Sequence, residues 1–406
     1  MNKQNTLTAI DVGTTKVCTV VGDLDSGGGL RILGVGNTPS HGLHKGLVVN
    51  INDAKESIRE SVRKAEQASG YKIESAYVGV TGRHVSSLNN RGVVAITRND
   101  RLVRSKDLRR VLESARGVKV PSDRKLLHVI PRGYALDGQA GVDNPVGMHG
   151  FRLDVEAHII TAAVTSVQNL IKCIRGIGID VDDLILEPLA SAEAVLTEDE
   201  KQLGTILADI GGGTTDISVF REGSIWHTAV LPVAGYQLTR DIAIGLGLPF
   251  DVAEEMKKRY GSVMPVYESK PETSSEISED GHGVSYQDLC DILRARVEEI
   301  IRLIVLELPH HDYQTLIPTG LVLTGGTSNL SGIDTLGRDI LRLPARVGIP
   351  TKIYGIAESL RNPAHATSVG LLLWAAKHNS STQTWQPHGF GRLFQRLMFR
   401  IKHLFR

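Results

Sequence analysis

The densest chemistry in the chain lies in eight residues, Asp209-Ile210-Gly211-Gly212-Gly213-Thr214-Thr215-Asp216. They stand between the apolar runs Thr205-Ile206-Leu207-Ala208 and Ile217-Ser218-Val219-Phe220, a pattern that reads as strand, glycine turn, strand. Successive glycines let backbone N–H groups approach a ligand with no Cβ in the way. A nest of N–H groups beside threonine hydroxyls suits phosphate oxygens, and a carboxylate at a strand end suits a hydrated Mg²⁺. A glycine-rich hairpin in a surface sheet would carry the same residues. The second copy decides between the two. Ala9-Ile10-Asp11-Val12-Gly13-Thr14-Thr15-Lys16-Val17 repeats the order apolar strand, Asp, apolar, Gly, Thr-Thr, apolar strand.

A repeat at that separation points to two related lobes, each presenting one hairpin to a shared cleft. A third glycine turn, Leu323-Thr324-Gly325-Gly326-Thr327-Ser328, follows the apolar strand Gly320-Leu321-Val322-Leu323. Other nucleotide signatures are missing: the chain has no Gly-Lys pair for a P-loop, no GxGxxG opening a helix and no HExxH. The formal charge is +1 over 406 residues, so no global field draws the molecule to nucleic acid, and any basic targeting is local. Cys18, Cys173 and Cys290 are odd in number and never spaced CxxC, which points to reduced thiols in a cytosol. The N-terminal residues carry no apolar export signal, and no apolar run reaches the roughly 18 residues a spanning helix needs.

Along the chain, Asn52 or Asp53 caps a helix with apolar spacing at Ala54, Ile58, Val62 and Ala65. Residues 84–164 change texture: strand-like runs at 92–96, 126–130 and 157–164 flank one helix, Ser105 to Arg116, and read as a compact inserted βα module. Arg98, Arg101, Arg104, Lys106, Arg109 and Arg110 crowd the start of that helix and read as a solvated face. Glu187-Pro188 opens a helix whose first acid suits the helix dipole. Glu254 and Lys257 lie one turn apart on one face of a further helix. Residues 268–283 are polar and acidic, a mobile loop by composition, and a long helix runs from about Tyr286 to Leu308.

The chain's last stretch has its own chemistry. Residues 377–388 read as a flexible linker. Beyond it, Phe390, Leu393, Phe394, Leu397, Met398, Ile401, Leu404 and Phe405 share one side of a helical wheel. Arg392, Gln395, Arg396, Arg400, His403 and Arg406 lie opposite, Phe399 breaks the pattern, and no acid occurs after Glu358. This is the composition of a helix lying in an anionic membrane interface.

The three glycine turns, in this order, resemble those of the actin-like ATPase superfamily, which includes actin, bacterial shape-determining filaments, seventy-kilodalton heat-shock chaperones and sugar kinases. The fold class this implies is α/β: a two-lobed, duplicated actin-like (ribonuclease-H-like) fold. The stretches Ile10 to Val17, Ser40 to Gly46, Asn90 to Ile96 and Asp209 to Ser218, with the terminal amphipathic helix, resemble the FtsA family of bacterial cell-division proteins. That resemblance covers nearly the whole chain. It implies ATP and Mg²⁺ as cofactors, with Asp11 and Asp209 holding the metal through water and Lys16 neutralising phosphate charge. Gly13, Thr14, Thr15, Gly211, Gly212, Gly213, Thr214 and Thr215 would cradle the phosphates, with Gly325, Gly326 and Ser328 against the nucleoside. Glu254 and Lys257 would meet ribose and adenine unless they form an ordinary exposed ion pair, and Glu187 would orient the attacking water. The division implied is 1–83 with 165–196, an SHS2-like insert at 84–164, 197–231 with 311–376, a small subdomain at 232–310, the linker, and a membrane helix at 389–406. The implied partners are the tail of the tubulin-like FtsZ, for which Arg294 and Arg296 are candidate contacts, other division proteins, anionic lipid and further copies of the chain in a filament. The implied location is the cytoplasmic face of the bacterial inner membrane, with hydrolysis slow and nucleotide acting as an assembly switch. A small-molecule kinase lacks a visible substrate base here, and a pilus-assembly relative would need no lipid helix.

Overall fold

A computed structural model describes residues 6–25, 29–264, 276–279, 282–308, 313–356 and 358–380. The first lobe begins with β1 (Thr6–Val12), β2 (Lys16–Leu24) and β3 (Leu30–Pro39), then the short pair β4 (Leu43–His44) and β5 (Leu47–Val48). Helix α1 (Ile51–Ser69) and β6 (Ser75–Val80) follow. Asn50, not the expected Asn52 or Asp53, caps α1 by accepting from the N–H groups of those two residues, and Gly70 closes the helix in a left-handed conformation at φ 68°. Ala54, Ile58, Val62 and Ala65 form the buried stripe that the spacing predicts.

The insert comprises β7 (Val85–Ala95), α2 (Ser105–Arg116), β8 (Arg124–Leu136), β9 (Gln139–Val142) and β10 (Arg152–Ala163). The chain then returns through α3 (Val164–Arg175), β11 (Asp180–Leu186), α4 (Glu187–Val195) and α5 (Glu198–Leu203). The second lobe holds β12 (Thr205–Ile210), β13 (Thr215–Arg221), β14 (Ser224–Leu231), α6 (Gly235–Gly245) and α7 (Phe250–Tyr260). Next come β15 (Glu276–Glu279), β16 (His282–Ser285), α8 (Tyr286–Leu306), α9 (Tyr313–Leu316), β17 (Leu321–Thr324) and α10 (Ile333–Leu341). Strands β18 (Ala345–Val347) and β19 (Ile353–Gly355) lead into α11 (Ala366–Ser380).

The duplication is plain in the sheets. The first lobe orders its strands β11-β6-β1-β2-β3-β19, and the second β14-β13-β12-β17-β18. In each, a hairpin and a third antiparallel strand lie to one side of the leading strand, and parallel strands lie to the other. The insert is a separate sheet, β7-β10-β8-β9, with its own core around Val111, Leu112, Leu153 and Val155. Helices α4 and α11 lie between the lobes in a core that takes Leu7 and Val20 from one sheet and Leu207, Phe220 and Val322 from the other. They cross so closely that a Cβ on Gly370 would lie 1.8 Å from the carbonyl oxygen of Ala190.

Three further expectations change. The arginines at the start of α2 are not simply solvated: Arg98 and Arg110 pair with Asp107, which is fully buried and also accepts from the backbone N–H of Arg104. Burying a carboxylate demands such partners. Within 268–283, residues 276–279 form a hairpin with 282–285, Ile277 facing Val284. Helix α11 runs to Ser380, past the expected linker start, and Lys377 within it bonds Glu193 at 3.2 Å. The linker beyond and the amphipathic segment 389–406 lie outside the described residues.

Candidate functional site

Both hairpins close with the same bond. Gly13 N–H donates to Lys16 O at 3.0 Å, and Gly211 N–H donates to Thr214 O at 2.9 Å. The flanking pairs are Val12 with Val17 and Ile210 with Thr215. This register makes Thr14 and Thr15 equivalent to Gly212 and Gly213, not to Thr214 and Thr215 as the run of residue names suggests. Lys16 is the counterpart of Thr214, and Cys18 of Asp216. The tips meet across the cleft. A Cβ on Gly212 would lie 2.2 Å from Thr15 Cγ2, and one on Gly213 would lie 2.5 Å from Thr14 Oγ1. The threonines of one hairpin thus fill the space that glycine leaves in the other.

The hydroxyls of the second hairpin point inward. Thr215 Oγ1 donates to Val233 O at 2.7 Å, and Thr214 Oγ1 donates to Asp216 Oδ2 at 3.2 Å. They brace the turn, so the surface this hairpin offers is its backbone. The first hairpin keeps Thr15 exposed, while Thr14 Oγ1 accepts from Gly46 N–H at 3.1 Å. Lys16 Nζ donates to Ala364 O and lies 3.2 Å from His365 Nδ1. Burial and then Lys16 press the pKa of His365 down to about 4, so the ring is neutral beside the ammonium.

Helices α4 and α11 hold the two strand-end aspartates. Ser368 of α11 donates to Asp11 at 2.7 Å. Asp209 accepts from Ser191 of α4 at 2.6 Å and from Thr367 of α11 at 3.0 Å. Two further carboxyls face them. Asp216 accepts from Thr81, and Glu187 begins α4 at 8% exposure. Burial raises the pKa of Asp11 and of Asp209. Burial first, with Asp209 and Asp11 adding to it, pushes Asp216 up to about 7. Glu187 is raised well above the usual range by burial, then by Asp11, Asp216 and Asp209. Four buried acids opposed chiefly by Lys16 are short of positive charge, and their hard oxygens match Mg²⁺. Among the described residues, no three His, Cys, Asp or Glu side chains converge closely enough to form a direct metal cage.

The third turn braces this arrangement from the second lobe. Gly325 adopts φ 86°, and a Cβ there would lie 2.4 Å from Asp209 Oδ1. Gly326 is open, with Ala364 Cβ the nearest atom at 3.8 Å. Ser328, expected against the nucleoside, donates its buried hydroxyl to Thr324 O at 2.6 Å within the turn. Thr327 donates to Gly211 O at 3.0 Å and ties the turn to the second hairpin. Glu254 and Lys257 form a 2.6 Å ion pair, and Lys257 also donates to Thr239 Oγ1 and Gly235 O. The pair is half-buried rather than exposed, with 12% of the Lys257 and 27% of the Glu254 side chain accessible.

Arg294 and Arg296 belong to none of this. Arg294 donates to Val263 O at 2.7 Å, and Arg296 is matched by Asp241 and Glu299. The membrane-facing candidates Phe390, Arg392, Leu393, Phe394, Arg396, Leu397, Met398, Arg400, Ile401, Leu404 and Phe405 lie outside the described residues. Sequence reasoning passed over Asp216, Thr81, Ser191, Thr367, Ser368 and His365. Small hydroxyls inside the apolar stretches of α4 and α11 were the available signal.

Residues 206–370 match the family model for cell division protein FtsA, and residues 82–161 match the model for the SHS2 domain inserted in FtsA. The FtsA of Pseudomonas aeruginosa is 44% identical over 94% of this chain and 92% of its own length. The chain belongs to the FtsA family of cell division proteins. The FtsA of Bacillus subtilis is 36% identical over 93% of this chain and 85% of its own length. Among solved structures, a PilM–PilN type IV pilus biogenesis complex superposes at a TM-score of 0.66 with 19% identity, covering 91% of this chain and 98% of that one. MreB5 of Spiroplasma citri bound to AMPPNP superposes at 0.56 with 15% identity, covering 94% of this chain and 100% of that one. These likenesses establish the two-lobed actin-like α/β fold, with an SHS2 domain inserted at residues 82–161.

Proposed function

We propose that the chain is an ATP-binding adaptor that tethers a ring of the tubulin-like FtsZ to the cytoplasmic face of the bacterial inner membrane at the division site. The observation that carries the nucleotide half is the cluster of Asp11, Asp209, Asp216 and Glu187 at the junction of two glycine hairpins. In this reading Asp11 and Asp209 hold Mg²⁺ through water, and Lys16 leaves Ala364 O to meet phosphate. The backbones of Gly13 and Gly211–Gly213, with Thr14 and Thr15, cradle the phosphates, while Thr214 and Thr215 brace the second loop. Gly325 and Gly326 flank the nucleoside, Glu254 and Lys257 meet the ribose and adenine, and Glu187 orients water. Mg²⁺ would supply charge neutralisation, the main requirement of phosphoryl transfer. With one acid to orient water, hydrolysis is slow and nucleotide serves as an assembly switch.

The tether rests on residues 389–406 lying in anionic lipid, their apolar face buried and each basic residue near the surface adding about 1 kcal/mol. Filaments of many copies strengthen weak anchors, because each later contact is intramolecular. The insert recruits later division proteins, and the small subdomain at 232–310 takes the FtsZ tail. For Arg296 to meet an acidic tail, that tail must displace Asp241 and Glu299. Charge reversal at Arg294 and Arg296 that leaves tail-peptide affinity unchanged removes both from the interface.

Titration of Mg²⁺ and ATP onto the full chain tests the nucleotide half. Co-sedimentation with anionic liposomes, comparing the full chain with one ending at Ser380, tests the tether. Equal sedimentation of the two would end the membrane reading.

A further inference from the structure

Beneath the β4–β5 pair lies a cavity of about 20 Å³, with Glu187, Thr81, Ser166 and His84 among its walls. A water needs about 10–15 Å³ of such space and two to four polar partners, so this cavity admits one. Its position is tied to the candidate site. Val12 of the first hairpin forms part of the wall, and Gly46 in the roof donates to Thr14 Oγ1 at 3.1 Å. Glu187 is pressed against strand β6, where a Cβ on Gly79 would lie 3.1 Å from Glu187 Cγ.

His84 stands out in this wall. Both ring nitrogens are buried, and neither meets a hydrogen-bond partner among the described residues. Buried polar atoms in folded proteins find a partner or a water. The main chain at His84 is fixed, its carbonyl accepting from Arg124 Nη2 at 3.0 Å and from Ala163 N–H at 3.3 Å. Burial, and then Arg124, lowers the pKa of the ring and keeps it neutral near pH 7. A neutral imidazole offers one donor and one acceptor.

We propose that this cavity holds one ordered water shared by the Glu187 carboxyl and the His84 ring, and that His84 is the positioning residue for the water Glu187 presents to bound nucleotide. The inference rests on the ATP reading above and extends it to a residue outside the three glycine turns.

The test pairs crystallography with kinetics on the full chain. High-resolution crystals grown without nucleotide and with Mg²⁺ and a non-hydrolysable ATP analogue should each show one water within about 3.2 Å of both groups. A dry cavity overturns the proposal. His84→Leu should lose that water and slow phosphate release about tenfold, with ATP affinity held within about twofold. His84→Gln should keep the water and most of the rate. Equal rates in His84→Leu and the natural chain overturn the positioning role, as does a natural chain that binds ATP and releases no phosphate. A natural chain that binds no ATP sinks the nucleotide reading instead, and the nucleotide-free crystal still judges the water.

Discussion

The first and second hairpins share a loop length, a closing hydrogen bond and a strand-end aspartate, and they differ in what their side chains face. In the first, Thr15 is exposed and Lys16 spans the cleft to Ala364. In the second, Thr214 and Thr215 turn inward, and the backbone at Gly212 and Gly213 packs against Thr15 and Thr14. The counterpart of the buried Cys18 is the buried acid Asp216. Duplication kept the turn, whose geometry glycine and the i→i+3 bond enforce, and released the side chains to diverge. One hairpin became a set of hydroxyls and a cation. Its twin became a glycine backbone packed on those hydroxyls, with an added carboxyl.

The sharpest way to break this comparison is to remove the feature both hairpins keep. Asp11→Ala and Asp209→Ala should each lower Mg²⁺–ATP affinity about 100-fold by isothermal titration, because an oriented carboxylate is lost from the metal's surroundings. An Asp209→Ala chain that binds Mg²⁺–ATP normally would overturn the shared role. The next largest effect falls on the feature they divide. Gly213→Val places a branched side chain where Thr14 Oγ1 already stands, and should weaken ATP binding about tenfold through overpacking. A second change, Thr14→Gly, should recover most of that loss if the two tips fit as a pair, and none of it if the valine only disturbs its own turn.

Asp216 sharpens the contrast through pH. Its carboxyl titrates near 3.8 when unfolded and at about 7 in the fold, so the folded chain holds that proton more tightly. The contribution is whole below pH 3.8 and is lost as the pH climbs through 7. Glu187 acts in the same direction. The melting temperature of the nucleotide-free, Mg²⁺-free chain should therefore fall as the pH rises from 3.8 to about 7. Asp216→Asn should flatten that slope, and Cys18→Ser in the twin position should leave it in place. The smallest effect belongs to Ser328→Ala, which should cost about 1 kcal/mol by chemical denaturation for the bond to Thr324. ATP affinity should stay within about twofold, since the hydroxyl serves the turn.

The duplicated lobes, the insert and the helix at 105–116 were legible because glycine turns and apolar periods are local signals. The pairing of the hairpins was not. Matching Thr14-Thr15 with Thr214-Thr215 follows the names, whereas the hydrogen-bond register sets Gly212 and Gly213 opposite them. Ser328 and Arg296 looked available because their partners, Thr324 O, Asp241 and Glu299, are fixed by folding rather than by spacing. Asp216 stood in the quoted motif, yet its burial against Asp209 and Asp11 exists only once both lobes are assembled.

Helices α4 and α11 touch backbone to backbone at Ala190 and Gly370, and within a turn of that crossing they carry Ser191, Thr367 and Ser368 to Asp209 and Asp11. One packed crossing therefore sets the direction of both carboxylates at once. Any side chain at position 370 would meet Ala190 O and push the two helices apart, and the aim of Asp11 and Asp209 would shift together.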